Sequence, residues 1–172
     1  MRSPTKYIVA ALLCVTLVAS SVAIWALFFR ESEVILAPDY APLETEANAQ
    51  TIPGDNGDKI ESDEGGGSVS LSYSNQVSID LSDRKAQLMF ANPGKSNQDM
   101  LIQITVQDQV LVQSGRLTPS HQVLYLDLLE DAADKLTPGG YDGKFQIFYY
   151  DPISGEKAVV NTEIPIKIIV RE

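Results

Sequence analysis

The sequence predicts an all-β fold, an antiparallel sandwich of seven or eight short strands over residues 68–172, behind a membrane span and an acidic linker. Three observations carry that reading. From Ser68 onward the apolar residues recur with period two, the spacing that turns one face of a strand toward a core. Asn, Asp, Gly and Pro break these runs at short intervals, as turns between strands require. Before them, residues 7–29 form 23 consecutive positions without charge, Gly or Pro.

Residues 1–6 form a short tail. At 1.5 Å per residue, a helix over 7–29 spans about 30 Å of hydrocarbon. The one candidate cleavage site, Ser21-Val22-Ala23, is followed by six more apolar residues, which favours an uncleaved anchor over a removed signal. Arg2 and Lys6 precede the span and Arg30 follows it, so the tail is expected in the cytoplasm and the body outside the plasma membrane. Tyr7, Trp25, Phe28 and Phe29 lie near the span's ends, where aromatic rings favour the interface. Cys14 lies within the span and reads as one more apolar residue.

Residues 31–67 have linker composition. Pro38, Pro42, Pro53, Gly54, Gly57 and Gly65–Gly67 interrupt them, and ten acids face one base, Lys59, for a local charge of −9. A flexible acidic linker follows from this. Within it, Asp55, Asn56 and Asp58 superficially resemble a calcium loop but lack the alternating ligands and the closing Glu, so they read as turn residues.

In the body, Val69, Leu71 and Tyr73 alternate with serines, and after Asn75-Gln76 the pattern resumes at Val77, Ile79 and Leu81. Ala86–Phe90 forms a third run and stops at Asn92-Pro93-Gly94. Ile102, Ile104 and Val106 oppose Gln103 and Thr105; Val110–Val112 and Val123–Leu128 follow. Phe145–Tyr150 is apolar on both faces and therefore central. Asp151–Glu156 suits a hairpin loop, with Lys157–Val160 as the return strand. A closing strand carries Ile164, Ile166, Ile168 and Val170 on one face. Pro165, lacking an N–H, places the start of that strand at an edge or a bulge. Leu129, Ala132, Ala133 and Leu136 have helical spacing, enough for one or two turns.

The run Leu136-Thr137-Pro138-Gly139-Gly140-Tyr141, before the penultimate strand, resembles the tyrosine corner of immunoglobulin-like and fibronectin type III sandwiches. In those folds the Tyr hydroxyl bonds to nearby backbone. Together with the run Ser114–Pro119 and the strand that follows it, the arrangement is similar to small bacterial envelope sandwich domains, including intracellular proteinase inhibitor-like ones. The resemblance implies an immunoglobulin-like fold and leaves function open.

Composition narrows function by exclusion. One Cys cannot close an intramolecular disulfide, and one Cys with one His cannot assemble a Cys/His zinc site. A net charge of −10 argues against phosphate neutralisation, so no nucleic-acid partner is expected. No Gly-x-Ser-x-Gly elbow accompanies His121, and Asp127, Glu130, Asp131, Asp134, Asp142 and Asp151 read as solvated loop acids. The expected protein is non-enzymatic, without cofactor or metal. It is a single-pass anchor presenting a sandwich that docks to or scaffolds another envelope component. The candidate contact residues are Tyr150, Asp151, Pro152, Ile153, Ser154 and Gly155, on a loop of a rigid scaffold, where function concentrates. An inhibitor loop, a carbohydrate platform built on Tyr149 and Tyr150, and a structural subunit of an envelope machine are the alternatives.

Overall fold

The computed structural model describes residues 37–62 and 66–172, together with Val15, Thr16, Val18 and Ser20. Those four isolated positions are helical, and the Ser20 hydroxyl donates to the Thr16 carbonyl at 2.8 Å. Apart from them, the expected span over 7–29 lies outside the described residues. Among the described residues, no helix is long and apolar enough to cross a membrane.

Nine strands follow in chain order: β1 (Gln50–Thr51), β2 (Ser72–Tyr73), β3 (Gln76–Asp80), β4 (Lys85–Asn92), β5 (Asp99–Val106), β6 (Gln109–Gln113), β7 (His121–Asp127), β8 (Gly139–Tyr150) and β9 (Lys157–Arg171). They form one hydrogen-bonded sheet in the order β1-β7-β4-β3-β9-β8-β5-β6, with β2 on β4. The sheet folds over at the β3–β9 junction, so β7-β4-β3 faces β9-β8-β5-β6 across a shared core. Phe90 of β4 and Phe145 of β8 meet there edge to face, 5.6 Å between ring centres. At the opposite side the halves touch again, through a bridge between Val112 and Leu128. The result is an immunoglobulin-like β-sandwich.

The period-two pattern accounts for this core. Val77 and Ile79 from β3, Ala86, Leu88 and Phe90 from β4, Met100, Ile102 and Ile104 from β5, and Ile164, Ile166, Ile168 and Val170 from β9 are all buried in one cluster. From β2 to β3 the chain stays beside β4, with a shift in register between Tyr73–Phe90 and Ser78–Gln87, and from Gln76 onward it gains β9 as its second neighbour. The Asn75 carbonyl accepts from the Lys167 N–H. β3 therefore runs parallel to β9, with Val77 opposite Ile168, and the sandwich is not antiparallel throughout as expected.

Three further expectations are corrected. The return strand at 157–160 and the closing strand at 164–171 are one strand, β9. Pro165 lies in its middle; the backbone of Lys167 faces β3, so Pro165 two residues earlier presents its missing N–H to the same, locally unpaired edge. The helix expected over 129–136 contracts to a 3-10 turn at Ala133–Lys135. The tyrosine corner forms as expected: the Tyr141 hydroxyl donates to the Thr137 carbonyl at 2.9 Å and accepts from the Thr137 N–H at 3.2 Å.

The largest correction concerns the linker. Residues 37–62, expected as free coil, are laid along the sandwich as a strap, and the compact unit begins at Ile35 rather than at Ser68. Tyr40 bridges to Glu156 and Thr45 to Arg116. β1 pairs with β7, Gln50 opposite Gln122. Backbone hydrogen bonds run from Ala41 N to Gly155 O, Glu46 N to Arg116 O, Ile52 N to Ser120 O and Ile60 N to Lys95 O. Charged side chains reinforce them. Glu46 accepts from the Gly115 N–H at 2.7 Å, Asp55 from the Gly94 N–H at 2.5 Å, and Lys59 donates to the Ser96 carbonyl. Two of the acids that suggested a solvated chain, Glu46 and Asp55, thus act as acceptors for loop amides that would otherwise lack partners.

Candidate functional site

The strap, the loop at 114–120 and the β8–β9 hairpin meet at one end of the sandwich. The hairpin closes through Asp151 N to Glu156 O and Gly155 N to Asp151 O, with Gly155 at φ +73° supplying the left-handed position the turn needs. The Asp151 carboxylate caps the turn from within, accepting from the Ile153 and Ser154 N–H groups at 2.9 and 2.7 Å. Those two bonds, Ser154 first, hold its carboxyl below the usual range. The loop is therefore a preset shape.

Of the six residues singled out from the sequence, five form this loop and one does not reach the surface. Tyr150 is fully buried. Its hydroxyl donates to the Pro38 carbonyl at 2.9 Å, and burial, with Asp39 nearby, pushes its pKa up to about 12. It supports the site from beneath by fastening the strap to the hairpin's base. Tyr149 is buried as well, its hydroxyl 2.7 Å from Thr162 Oγ1. Neither ring offers a face to a sugar.

Ile153, at the loop tip, is 95% exposed. Four more large apolar side chains stand exposed on the segments joined here: Tyr40 at 61%, Leu43 at 95%, Val159 at 105% and Val160 at 69%. The valines protrude because β9 carries two more residues than β8 between the pairs Tyr150–Lys157 and Phe148–Asn161, a bulge at a strand edge. A groove of about 700 Å³ adjoins them, lined among others by Gly67, Val69, Gln98, Tyr149 and Thr162. A second groove, of about 610 Å³, runs from Ile153 past Pro152 to Asn97 and Pro119.

Charge surrounds these apolar groups. Lys157 lies 3.4 Å from the Asp39 carboxylate and also reaches the Ala37 carbonyl at 3.2 Å. Arg116 lies 3.7 Å from Asp99, whose carboxyl is buried and held above the usual range by desolvation against the pull of that guanidinium. Glu44, Asp151 and Glu156 take part in no ion pair among the described residues. The site is an apolar cluster with an acidic rim.

The other candidates do not converge. His121 opens β7, its Nδ1 3.0 Å from both Thr118 Oγ1 and the Pro119 carbonyl. Asp127 accepts from Asn48 and Asp142 pairs with Lys167, each apart from the hairpin. The apolar stretch Val34–Pro42 includes Tyr40 and is legible in the sequence as a patch able to dock a neighbour; sequence reasoning missed Leu43 and the bulge at Val159-Val160.

No protein-family model matches the chain, and no curated protein sequence matches it. Among solved structures it is similar to the E. coli chaperone DraB (TM-score 0.38, 16% identity, covering 61% of this chain and 55% of that one). It is also similar to the periplasmic chaperone SfaE (TM-score 0.37, 15% identity, 60% and 56%). The chain spans little more than half the length of each.

Proposed function

We propose that this protein is a non-enzymatic, single-pass membrane protein. Its extracytoplasmic sandwich docks to, or scaffolds, another component of the cell envelope through the hairpin end. One observation carries the docking role: five large apolar side chains, Tyr40, Leu43, Ile153, Val159 and Val160, stand exposed on segments whose backbones are tied down by hydrogen bonds. Exposed apolar groups on a fixed frame are a cost to a soluble surface and a gain to an interface. The anchor rests on the 23 uncharged residues 7–29, and the orientation on Arg2 and Lys6 before them.

The test is photo-crosslinking in intact cells from position 153 or 159, with position 124 on β7 as a control. Leu124 is also exposed, at 42%, but lies on another strand. Discrete adducts from 153 and 159 and none from 124 are expected. Equal labelling from all three, or none from any, would reject the hairpin end as the contact. Alkaline carbonate extraction should leave the full-length protein in the membrane pellet. A second reading, an inhibitor that fills an enzyme's groove, is favoured by the preset 151–155 loop. Replacing Pro152–Ser154 with Gly/Ser residues would then abolish inhibition while leaving the thermal transition in place.

A further inference from the structure

Along its middle, β9 has a neighbour on one side only. Its start lies against the strap: the Lys157 N–H donates to the Asp39 carbonyl at 3.0 Å, and Tyr40 bridges to Glu156. Its end lies against β3, from Lys167 to Arg171. Between them, residues 159–165 have β8 on one side and no strand on the other among the described residues. The Lys167 N–H points toward β3, so by the two-residue period of a strand Glu163 and Asn161 point theirs to the same, open edge. The groove of about 700 Å³ adjoins this edge, lined by Val69 from the chain before β2 and by Tyr149, Val160 and Thr162 from β8 and β9. A stretch such as 159–165 is about 20 Å long, room for an extended peptide of about five to seven residues.

The slot is stopped at both ends, and that selects its occupant. A second copy has no room to enter with its own β9 edge. Laid antiparallel, each copy's β3 end would run into the other's strap; laid parallel, the two β3 strands would claim the same place. Pro165 and the bulge further blunt the edge against lateral association. Charge is mixed. Asp151, Glu156 and Lys157 line the slot, Lys157 facing Asp39, and Lys59 lines the adjoining groove beside Ile153. On the outer side, Glu163 is already satisfied by Lys144 and Gln146. We infer that the slot takes one extended segment of a partner protein, added to the sheet beside β9, with uncharged β-branched or aromatic side chains at every second position. Main-chain bonds to Asn161 and Glu163 supply affinity, and the side chains that meet Val69, Val160 and Thr162 supply selection. This deepens the proposed function and rests on it.

The experiment uses the full-length protein in intact cells, with a photo-crosslinking residue at position 159. Asn161→Pro removes one N–H from the open edge and keeps the pairing with β8, as Pro165 does already. It should lower the adduct yield about tenfold, whereas Asn161→Ala, which keeps the N–H, should leave it within about twofold of wild type. Val160→Asp puts a charge where an apolar side chain is received and should also lower the yield about tenfold. It carries the test alone if Asn161→Pro loses the wild-type thermal transition; Val160 is 69% exposed, so its replacement leaves the core intact. In isolated envelopes, raising salt until the Debye length is about 3 Å should change the yield less than about twofold. Full yield from either folded variant, a loss in Asn161→Ala as large as in Asn161→Pro, or a yield that collapses with salt would overturn the inference and leave the docking role standing. Adducts confined to a second copy or to the same chain, or no adduct from 153 or 159, would overturn the reading beneath it as well.

Discussion

Tyr141 and Tyr150 occupy opposite ends of β8 and fasten different things. Tyr141 ties the chain to itself four residues upstream, a contact legible because Leu136, Pro138, Gly139 and Tyr141 are adjacent in sequence. Tyr150 reaches the Pro38 carbonyl, 112 residues away in the chain, and no local pattern announces such a partner. Replacing Tyr150 by Phe keeps the ring packing and removes that bond, with an expected cost of about 0.5–1.5 kcal/mol, measured by denaturant unfolding. Amide exchange at Ala41 should rise with it, because the strap's first anchor is gone. The same phenol also sets an alkaline limit. Its pKa is raised from about 10 in the unfolded chain to about 12 in the folded one, so its contribution is complete below pH 10 and is lost as pH rises through 12. The wild-type thermal transition should therefore fall more steeply over that interval than that of Tyr150→Phe. Parallel curves would show that Tyr150 does not carry the alkaline loss.

Among the elements, the strands were readable and the strap was not. Period-two alternation located β3, β5 and the second half of β9, because burying one face of a strand is what the core rewards, while short apolar runs marked β4, β6, β7 and the end of β8. Phe90, fully buried against Phe145, shows how strongly: Phe90→Ala should cost about 3–5 kcal/mol, much of the stability of a domain this size. The strap is held by isolated bridges, backbone bonds and carboxylate acceptors, and these leave no apolar period. Its trace lies in two glycines of the body. A Cβ on Gly94 would come within 2.6 Å of Gly57 Cα, and one on Gly115 within 3.0 Å of the Glu46 backbone, so each is small because the strap passes over it. A truncated chain starting at Ser68 exposes the loop amides of Gly94, Gly115 and Arg116 that Asp55, Glu46 and Glu44 now satisfy. It should melt several degrees below a chain starting at Ile35, by calorimetry. Equal transitions would mean that the strap adds no stability. The candidate site shares this split: the loop at 151–155 was legible from its turn residues and Tyr40 from the apolar stretch Val34–Pro42, whereas Leu43 belongs to a segment that composition assigns to solvent.

At the scale of the molecule, the strap relocates charge. Residues 37–67 bring eight acids and one base to a body that already holds 13 acids and nine bases, so residues 37–172 carry −11 instead of the −4 that residues 68–172 would carry alone. A negatively charged segment lies on a negatively charged domain, held by short-range bonds against a longer-range repulsion. The two respond differently to salt. Going from about 10 mM to about 150 mM shortens the Debye length from about 30 to about 8 Å, which screens repulsion between dispersed carboxylates and leaves bonds such as Asp55 to Gly94, at 2.5 Å, nearly untouched. The exposed ion pairs, Lys157–Asp39 and Lys167–Asp142 among them, lose little because such pairs contribute little. Added salt should therefore stabilise the folded unit, and most visibly at the strap: amide exchange at Ile52 and Ile60 should slow more than exchange in β5. If exchange at those two amides instead quickens with salt, the strap is held by ion pairs, and its carboxylates are not the backbone acceptors described here.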